Sequence, residues 1–205
     1  MATHQERITQ TETSIVDALV TVGKKKSLDQ ITVSDLTRIS GISRGTFYLH
    51  YLDKEDLMTK VKNSISSKFQ ILLDTGIDDT MNYQELSSGQ LYPMIEKIVA
   101  FVSDNKALLG FLFGSNGDPA FASIITDKLQ KAILGELKRV KGTATFRSDL
   151  PKNYALCIVT NAIMSVVLTW LGDDSDSLSE EELSKIIMRA LYLSPYEVLG
   201  ITSRK

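Results

Sequence analysis

Apolar positions recur at three- and four-residue intervals along the whole chain, and no run alternates long enough to make a strand. Ile8, Ile15, Val16, Leu19 and Val20 predict a first helix that ends near Gly23. Thr32, with Asp35 three residues on, forms a capping box that opens a second helix. Gly41 closes that helix, as left-handed glycines do, and Ser43 caps a third. Within this pair Leu36, Ile39 and Ile42 are expected to pack inward, and Phe47 to anchor the third helix from beneath. Asp53, with Asp56 at the third position, caps a fourth helix whose apolar face reads Leu57, Val61, Ile65, Phe69 and Leu72.

After Gly76 the polar stretch IDDTMNYQELSSGQ reads as a loop or hinge. Leu91, Ile95, Ile98, Val99 and Val102 mark the next helix, which Asp104 and Asn105 interrupt. Ala107 to Phe113 forms a short apolar helix. Gly114 to Pro119 is a turn, with Asp118 as the next N-cap and Pro119 in the first helical position. Phe121, Ile124, Ile125, Leu129, Ala132, Ile133 and Leu137 line a long helix. A loop, KGTATFRSD, leads to Pro151 and an uncharged helix. Ser179 and Glu182 box the start of a final helix carrying Leu183, Ile186, Ile187, Ala190 and Leu191. The expected fold is all-α, with about nine helices and no internal repeat.

The uncharged stretch Tyr154 to Leu171 reaches the lower limit for a membrane span. It contains Thr160, Asn161, Ser165 and Thr169, the last three on one helical stripe. It is flanked by Lys152 on one side and by Asp173, Asp174 and Asp176 on the other. A helix buried on nearly all sides, in a core or between subunits, accounts for it better than a membrane helix. At 43% hydrophobic residues the chain has ample material for a core, which excludes global disorder. Cys157 is the only cysteine, so no intrachain disulfide can form. MATHQERITQTETS lacks an apolar signal region, and a cytoplasmic location is expected.

Charge sharpens the reading of residues 32–57. The net charge is −2, and over residues 1–60 acids and bases balance at eight each. Any affinity for nucleic acid must therefore come from local placement. Between Asp35 and Asp53 there is no acid, while Arg38, Arg44 and His50 lie inside. Two short helices joined at Gly41 give the spacing of a helix-turn-helix, whose second helix enters the DNA major groove. On the turn alone, a plain helical hairpin is the alternative.

The residues after the turn decide between the two. Gly45-Thr46-Phe47-Tyr48-Leu49-His50-Tyr51-Leu52-Asp53-Lys54-Glu55-Asp56-Leu57 resembles the signature of the TetR/AcrR family of bacterial transcription regulators. The resemblance covers about residues 5–60. Thr37 and Ser40 stand where that family most often has alanine, and Tyr51 where phenylalanine is usual. It implies an N-terminal helix-turn-helix DNA-binding domain over residues 1–52. A helical effector-binding and dimerisation domain over residues 53–205 would follow.

The recognition helix would run from Ser43 to about Tyr51 and expose Ser43, Arg44 and Thr46 at its start. Arg44 can bond a guanine edge, or alternatively a phosphate, and the Thr46 methyl can touch a thymine. Gly45 permits close approach. Tyr48, His50 and Lys54 resemble family residues that bind phosphate. Thr32 offers a hydroxyl and free helix amides to another phosphate, and Ser34 is a weaker groove candidate. Lys24, Lys25 and Lys26 read as a solvated helix end. The resemblance also implies a homodimer through the helices at about 153–171 and 179–193, reading a palindromic double-stranded operator.

An effector pocket would draw on Tyr92, Phe101, Phe111, Phe113, Phe121 and Trp170, which otherwise read as ordinary core aromatics. The implied function is a repressor by family habit, released by a small apolar effector. The alternative is a DNA-binding protein without a small-molecule ligand, governed by a protein partner or by abundance. An all-helical enzyme is the remote alternative. The sequence has no Ser-His-Asp, Cys-His or HExxH arrangement, and its histidines are His4 and His50 alone. No cofactor or metal is expected. Gly110, Gly114 and Gly117 lack the strand and the lysine of a phosphate loop, and the acidic turn lacks the glycine of a calcium loop.

Overall fold

The structure, a computed structural model, describes residues 3–76, 91–173, 175 and 177–201. The polar stretch 77–90 and two of the clustered acids, Asp174 and Asp176, lie outside the described residues. Among those described the chain is helical throughout. It forms α1 (His4–Gly23), a 3-10 turn (Leu28–Gln30), α2 (Val33–Ser40), α3 (Arg44–His50) and α4 (Lys54–Gly76). These are followed by α5 (Pro93–Asp104), α6 (Lys106–Phe113), α7 (Pro119–Lys141), α8 (Lys152–Gly172), α9 (Glu180–Tyr192) and α10 (Pro195–Val198).

The capping signals act as read. Thr32 accepts from the Asp35 amide while Asp35 caps the Thr32 amide, and Ser179 and Glu182 do the same for α9. Gly41 closes α2 at φ 72°, Asp53 accepts from the Asp56 amide at 2.7 Å, and Asp118 from the Ala120 amide at 3.0 Å. α10 is a helix beyond the expected nine. Its single turn is opened by a box of Ser194 and Glu197 with proline inside. The cue was in the sequence, but one turn leaves no room for apolar periodicity.

By compactness the chain divides into two units, Met1–Lys68 with Asn105–Ser123, and Phe69–Asp104 with Ile124–Lys205. The sequence divided the chain by role at residue 52, whereas compactness also gathers the start of α4 and residues 105–123 with the first three helices.

In the first unit α1 packs on α2 and on α6, and α2 on α3. Ile15, Leu19, Leu36, Phe47, Leu57, Leu112 and Phe121 are fully buried. Ile39, expected inside, is 42% exposed. The buried face of α2 carries Leu36 and Thr37, and Ile39 falls about 60° from Leu36 on its far side, at roughly 100° per residue. Thr37 and Ser40 return their hydroxyls to the carbonyls of Val33 (3.0 Å) and Leu36 (2.7 Å), so small polar residues fit where alanine is usual. On α4 the apolar face continues to Leu73, which is buried, rather than to Leu72.

Residues 114–118 are bonded into this unit. The Leu28 amide donates to the Asn116 carbonyl at 2.8 Å. The Asn116 side chain donates to the Gly23 carbonyl at 3.0 Å, and Lys62 pairs with Asp118 at 2.6 Å. Gly117 sits where a Cβ would lie 2.0 Å from the Phe111 carbonyl oxygen.

In the second unit α9 packs on α5 and α8, burying Leu183, Ser184, Ile187 and Met188. Glu136 is buried and held in two bonds by Arg139, at 2.6 and 2.8 Å. Thr160 is also buried, and its hydroxyl donates to the Leu156 carbonyl at 2.8 Å. The expectation put α8 in a core or between subunits; within one chain 44% of its most apolar window is buried. Tyr154 (61% exposed), Ile158 (60%), Asn161, Ser165 and Leu168 all remain open. They follow one another by three and four residues, so they share one stripe of the helix. Among the described residues, it is the opposite side of the helix that is buried.

Candidate nucleic-acid interface

The second helix of the motif, α3, is fixed by one side chain. Phe47 is fully buried and meets the rings of Tyr48 edge-on and Tyr51 at a tilt, each at 5.6 Å. Everything about 160° around the helix from Phe47 must then face outward. Gly45 and Leu49 occupy that direction, with Arg44 and Tyr48 on one flank and Thr46 and His50 on the other. Ser43 caps the helix by accepting from the Thr46 amide at 3.0 Å, and its hydroxyl lies 2.9 Å from that of Thr46.

The structure brings Arg44 and Ser34 together, since the Arg44 guanidinium donates to the Ser34 hydroxyl. The outward ends of α2 and α3 are thereby joined by an exposed cation that is free of any carboxylate among its recorded partners. Gly45 is exposed, and a Cβ there would meet nothing nearer than the Ser43 hydroxyl at 3.6 Å. Neither its conformation nor its packing demands glycine. Tyr48 is 54% exposed.

Thr32 sits at the head of α2 as its cap. Its hydroxyl donates to Asp35 at 2.8 Å and accepts from the Asp35 amide at 3.2 Å, so it is engaged within the cap. Lys26 explains how an acid at this position is tolerated. Lys24 and Lys25 are exposed, as a solvated helix end would be, while Lys26, its side chain 43% exposed, also donates to Asp35 at 2.9 Å. That bond, reinforced by the Thr32 hydroxyl, holds the Asp35 carboxyl at about 2. The carboxylate is turned onto Lys26 and Thr32, and Arg38 (3.7 Å away) remains mostly in solvent.

His50 has a partner that the sequence did not indicate. Its Nδ1 lies 3.5 Å from the Glu12 carboxylate of α1, and its side chain is only 12% exposed. No nearby acid is visible in the local sequence, because Glu12 arrives only through the packing of α1. The same acid, with Asp56 and burial as the largest cause, pushes the Tyr51 hydroxyl up to about 12. Lys60 lies 5.2 Å over the Tyr51 ring and donates to the His50 carbonyl at 3.0 Å.

Lys54 is 16% exposed at its side chain. Its ammonium donates to the carbonyls of Leu28 (2.9 Å) and Asp29 (3.2 Å) and lies 3.8 Å from Glu55. It therefore ties the 3-10 turn to the head of α4 while keeping a cation there. A cleft of about 520 Å³ opens beside it, lined also by Ser27, Asp29, Met58 and Lys62.

The six aromatics considered for an effector pocket fall three to each unit. Phe111, Phe113 and Phe121 belong to the first, where Phe113 stacks on Phe121 at 5.8 Å. Tyr92, Phe101 and Trp170 belong to the second, where Phe101 lies 5.7 Å from Phe69. Tyr92, Phe111, Phe121 and Trp170 are buried and thus contribute to packing. Among the described residues no group of His, Cys, Asp and Glu is arranged to hold a metal.

Comparison with known proteins identifies the family and the fold. Residues 89–192 match the family model of the TetR-type transcriptional regulator C-terminal region. A curated relative is the uncharacterized HTH-type transcriptional regulator YwcC of Bacillus subtilis, 30% identical over 75 residues. That match spans 37% of this chain and 33% of the relative, so the chain covers about a third of that protein's length. The fold is shared with a TetR-family transcriptional regulator of Syntrophomonas wolfei, at 14% identity and TM-score 0.62, covering 99% of this chain and all (100%) of that one. It is shared also with the fatty acid degradation regulator FadR of Bacillus halodurans, at 19% identity and TM-score 0.60, covering 89% and 95% of the two chains.

Proposed function

Because this chain belongs to the TetR family of transcriptional regulators, we propose that it works as a homodimeric, one-component DNA-binding regulator. It reads a palindromic operator and acts as a repressor that a small apolar molecule releases. The observation that carries the reading is the outward face of α3. A glycine the fold does not require lies opposite the buried Phe47, an exposed arginine and an exposed tyrosine flank it, and the Asp35 carboxylate on the neighbouring helix is held by Lys26. A phosphate backbone needs that withdrawal of negative charge, and a groove needs that clearance.

In this reading Arg44 and Thr46 contact bases while Tyr48, His50 and Lys54 contact phosphates. Thr32 and Ser34 support the second helix at the backbone. Dimerisation is supported by the open stripe Tyr154, Ile158, Asn161, Ser165 and Leu168 on α8, a spacing that suits pairing of helices. α9 would add its polar outer face, on which Glu181 pairs with Lys185. Two reading heads recognise twice the sequence of one, which gives the dimer its purpose. Release requires an effector that binds one spacing of the heads better than the other. Such a protein works in the cytoplasm.

Selection of bound DNA from a random pool tests the reading. A palindrome with two half-sites is expected, and enrichment of no sequence would overturn it. Thermal-shift screening with apolar small molecules addresses release, since a ligand held by the folded state raises the melting temperature.

A further inference from the structure

The most exposed large apolar side chains described in this protein are Leu49 and Leu52, at 85% and 80%. Neither stabilises the fold, because neither leaves water on folding. Leu49 sits on α3 in the direction opposite Phe47, in line with Gly45 one turn earlier. A bare glycine followed at i+4 by a leucine that is 85% exposed makes a recess and a projection on the same stripe. The flanks of that stripe are polar or cationic, Arg44 and Tyr48 on one side and Thr46 and His50 on the other. No acid occurs between Asp35 and Asp53, and Glu12, which reaches α3 from α1, stands against the mostly buried His50 at the far end of the helix. A partner complementary to this surface is negatively charged around its rim and apolar at one small central point. DNA has that combination in its major groove, where the C5 methyl of thymine projects between two phosphate backbones.

We propose that Leu49 is a specificity-determining residue that reads the methyl group of a thymine. Gly45 clears the space that lets the helix sink far enough for the contact. The proposal rests on the DNA-reading function above and adds the base identity at the centre of the half-site. Of its neighbours, Arg44 reads hydrogen-bonding edges, Leu52 lies beyond the C-terminal end of α3, and Thr46 stands on the flank of the stripe, so a thymine contact made by Thr46 instead would persist in Leu49→Ala.

Deoxyuridine in place of thymidine removes that methyl and nothing else, which makes the proposal testable atom by atom. An operator obtained by selection is remade with each thymine of one half-site replaced singly by deoxyuridine, and affinities are read by fluorescence anisotropy. The unaltered protein should lose about fourfold at one thymine, the equivalent of the ~0.8 kcal/mol of one methyl-sized group at a factor of ten per 1.4 kcal/mol. Leu49→Ala should bind the thymine operator several-fold more weakly and show no further loss on deoxyuridine. Leu52→Ala should keep the full thymine sensitivity. Leu49 is solvent-exposed, so Leu49→Ala should melt like the unaltered protein.

A scan in which no thymine methyl matters overturns the proposal. So does sensitivity that persists in Leu49→Ala or disappears in Leu52→Ala. If Leu49→Ala changes the sedimentation of the DNA-free protein, the face is a contact between copies and the proposal also falls. Enrichment of no operator overturns the regulator reading and this proposal together, whereas tight operator binding with a flat methyl scan overturns this proposal alone.

Discussion

Replacing Gly45 with alanine separates what the fold needs from what a partner needs. The glycine lies in the first turn of α3, is exposed, and has no left-handed backbone. A Cβ built there meets only the Ser43 hydroxyl, at an ordinary 3.6 Å. Glycine in a helix destabilises by about 0.5–1 kcal/mol relative to alanine. Gly45→Ala should therefore raise the melting temperature by about 1–4 °C for a chain of this length.

The same methyl extends about 1.5 Å from Cα, enough to push flanking donors out of the 2.7–3.2 Å hydrogen-bonding range if α3 lies against DNA. Loss of one base contact costs about 1–3 kcal/mol, a fall in affinity of roughly 5- to 150-fold. Gly41→Ala supplies the contrast. Gly41 also has open space around it but sits at φ 72°. Alanine in that conformation costs about 1–2 kcal/mol, so this variant should melt lower. Differential scanning fluorimetry and anisotropy titration on a selected operator read both quantities. A Gly45→Ala protein that melts lower, or that binds operator within twofold of the original, would refute the reasoning.

Arg44→Ala should weaken specific binding by about 1–3 kcal/mol and relax the sequence preference; unchanged preference in a competition titration would remove the base contact. Lys54→Ala should bind all DNA sequences more weakly, with a salt slope smaller by about one. It should also melt lower, since the ammonium holds the carbonyls of Leu28 and Asp29. Gly117→Ala should destabilise by about 3 kcal/mol, because the new Cβ would lie 2.0 and 2.6 Å from two backbone oxygens that cannot swing aside; urea denaturation measures this.

The Asp35 carboxyl is held at about 2 against an ordinary 3.8, chiefly by Lys26 and then by Thr32. The folded state thus binds this proton more weakly than the unfolded chain. Its contribution is complete above pH of about 4 and is lost as pH falls from about 4 to about 2. Melting curves should show Asp35→Asn well below the original protein at neutral pH, with the gap closing on acidification through that window.

Helix periodicity, the boxes at Thr32–Asp35 and Ser179–Glu182, the left-handed Gly41 and the inward Phe47 were all legible in the sequence. Each depends on neighbours within a turn or two, and caps and amphipathic stripes are local physics. The outward direction of Gly45, Leu49 and Tyr48 followed from Phe47 by rotation along one helix. Residues whose partners lie far along the chain were not legible. Glu12 stands beside His50 only because α1 crosses that end of α3. Lys26 withdraws Asp35 across a loop whose sequence reads as solvated. Lys54 reaches back to Leu28 and Asp29, and residues 114–118 join the first unit through Gly23, Leu28 and Lys62.

α8 shows the same division. Its composition announced burial, but only packing decided that one side would be covered by α9 and the other left open. By itself the sequence determined every described helix but α10, the caps that open and close them, and the family. The tertiary structure decided which charges are neutralised, which apolar side chains stay in water and which glycines the fold requires. Those properties depend on distances between atoms that chain order does not set.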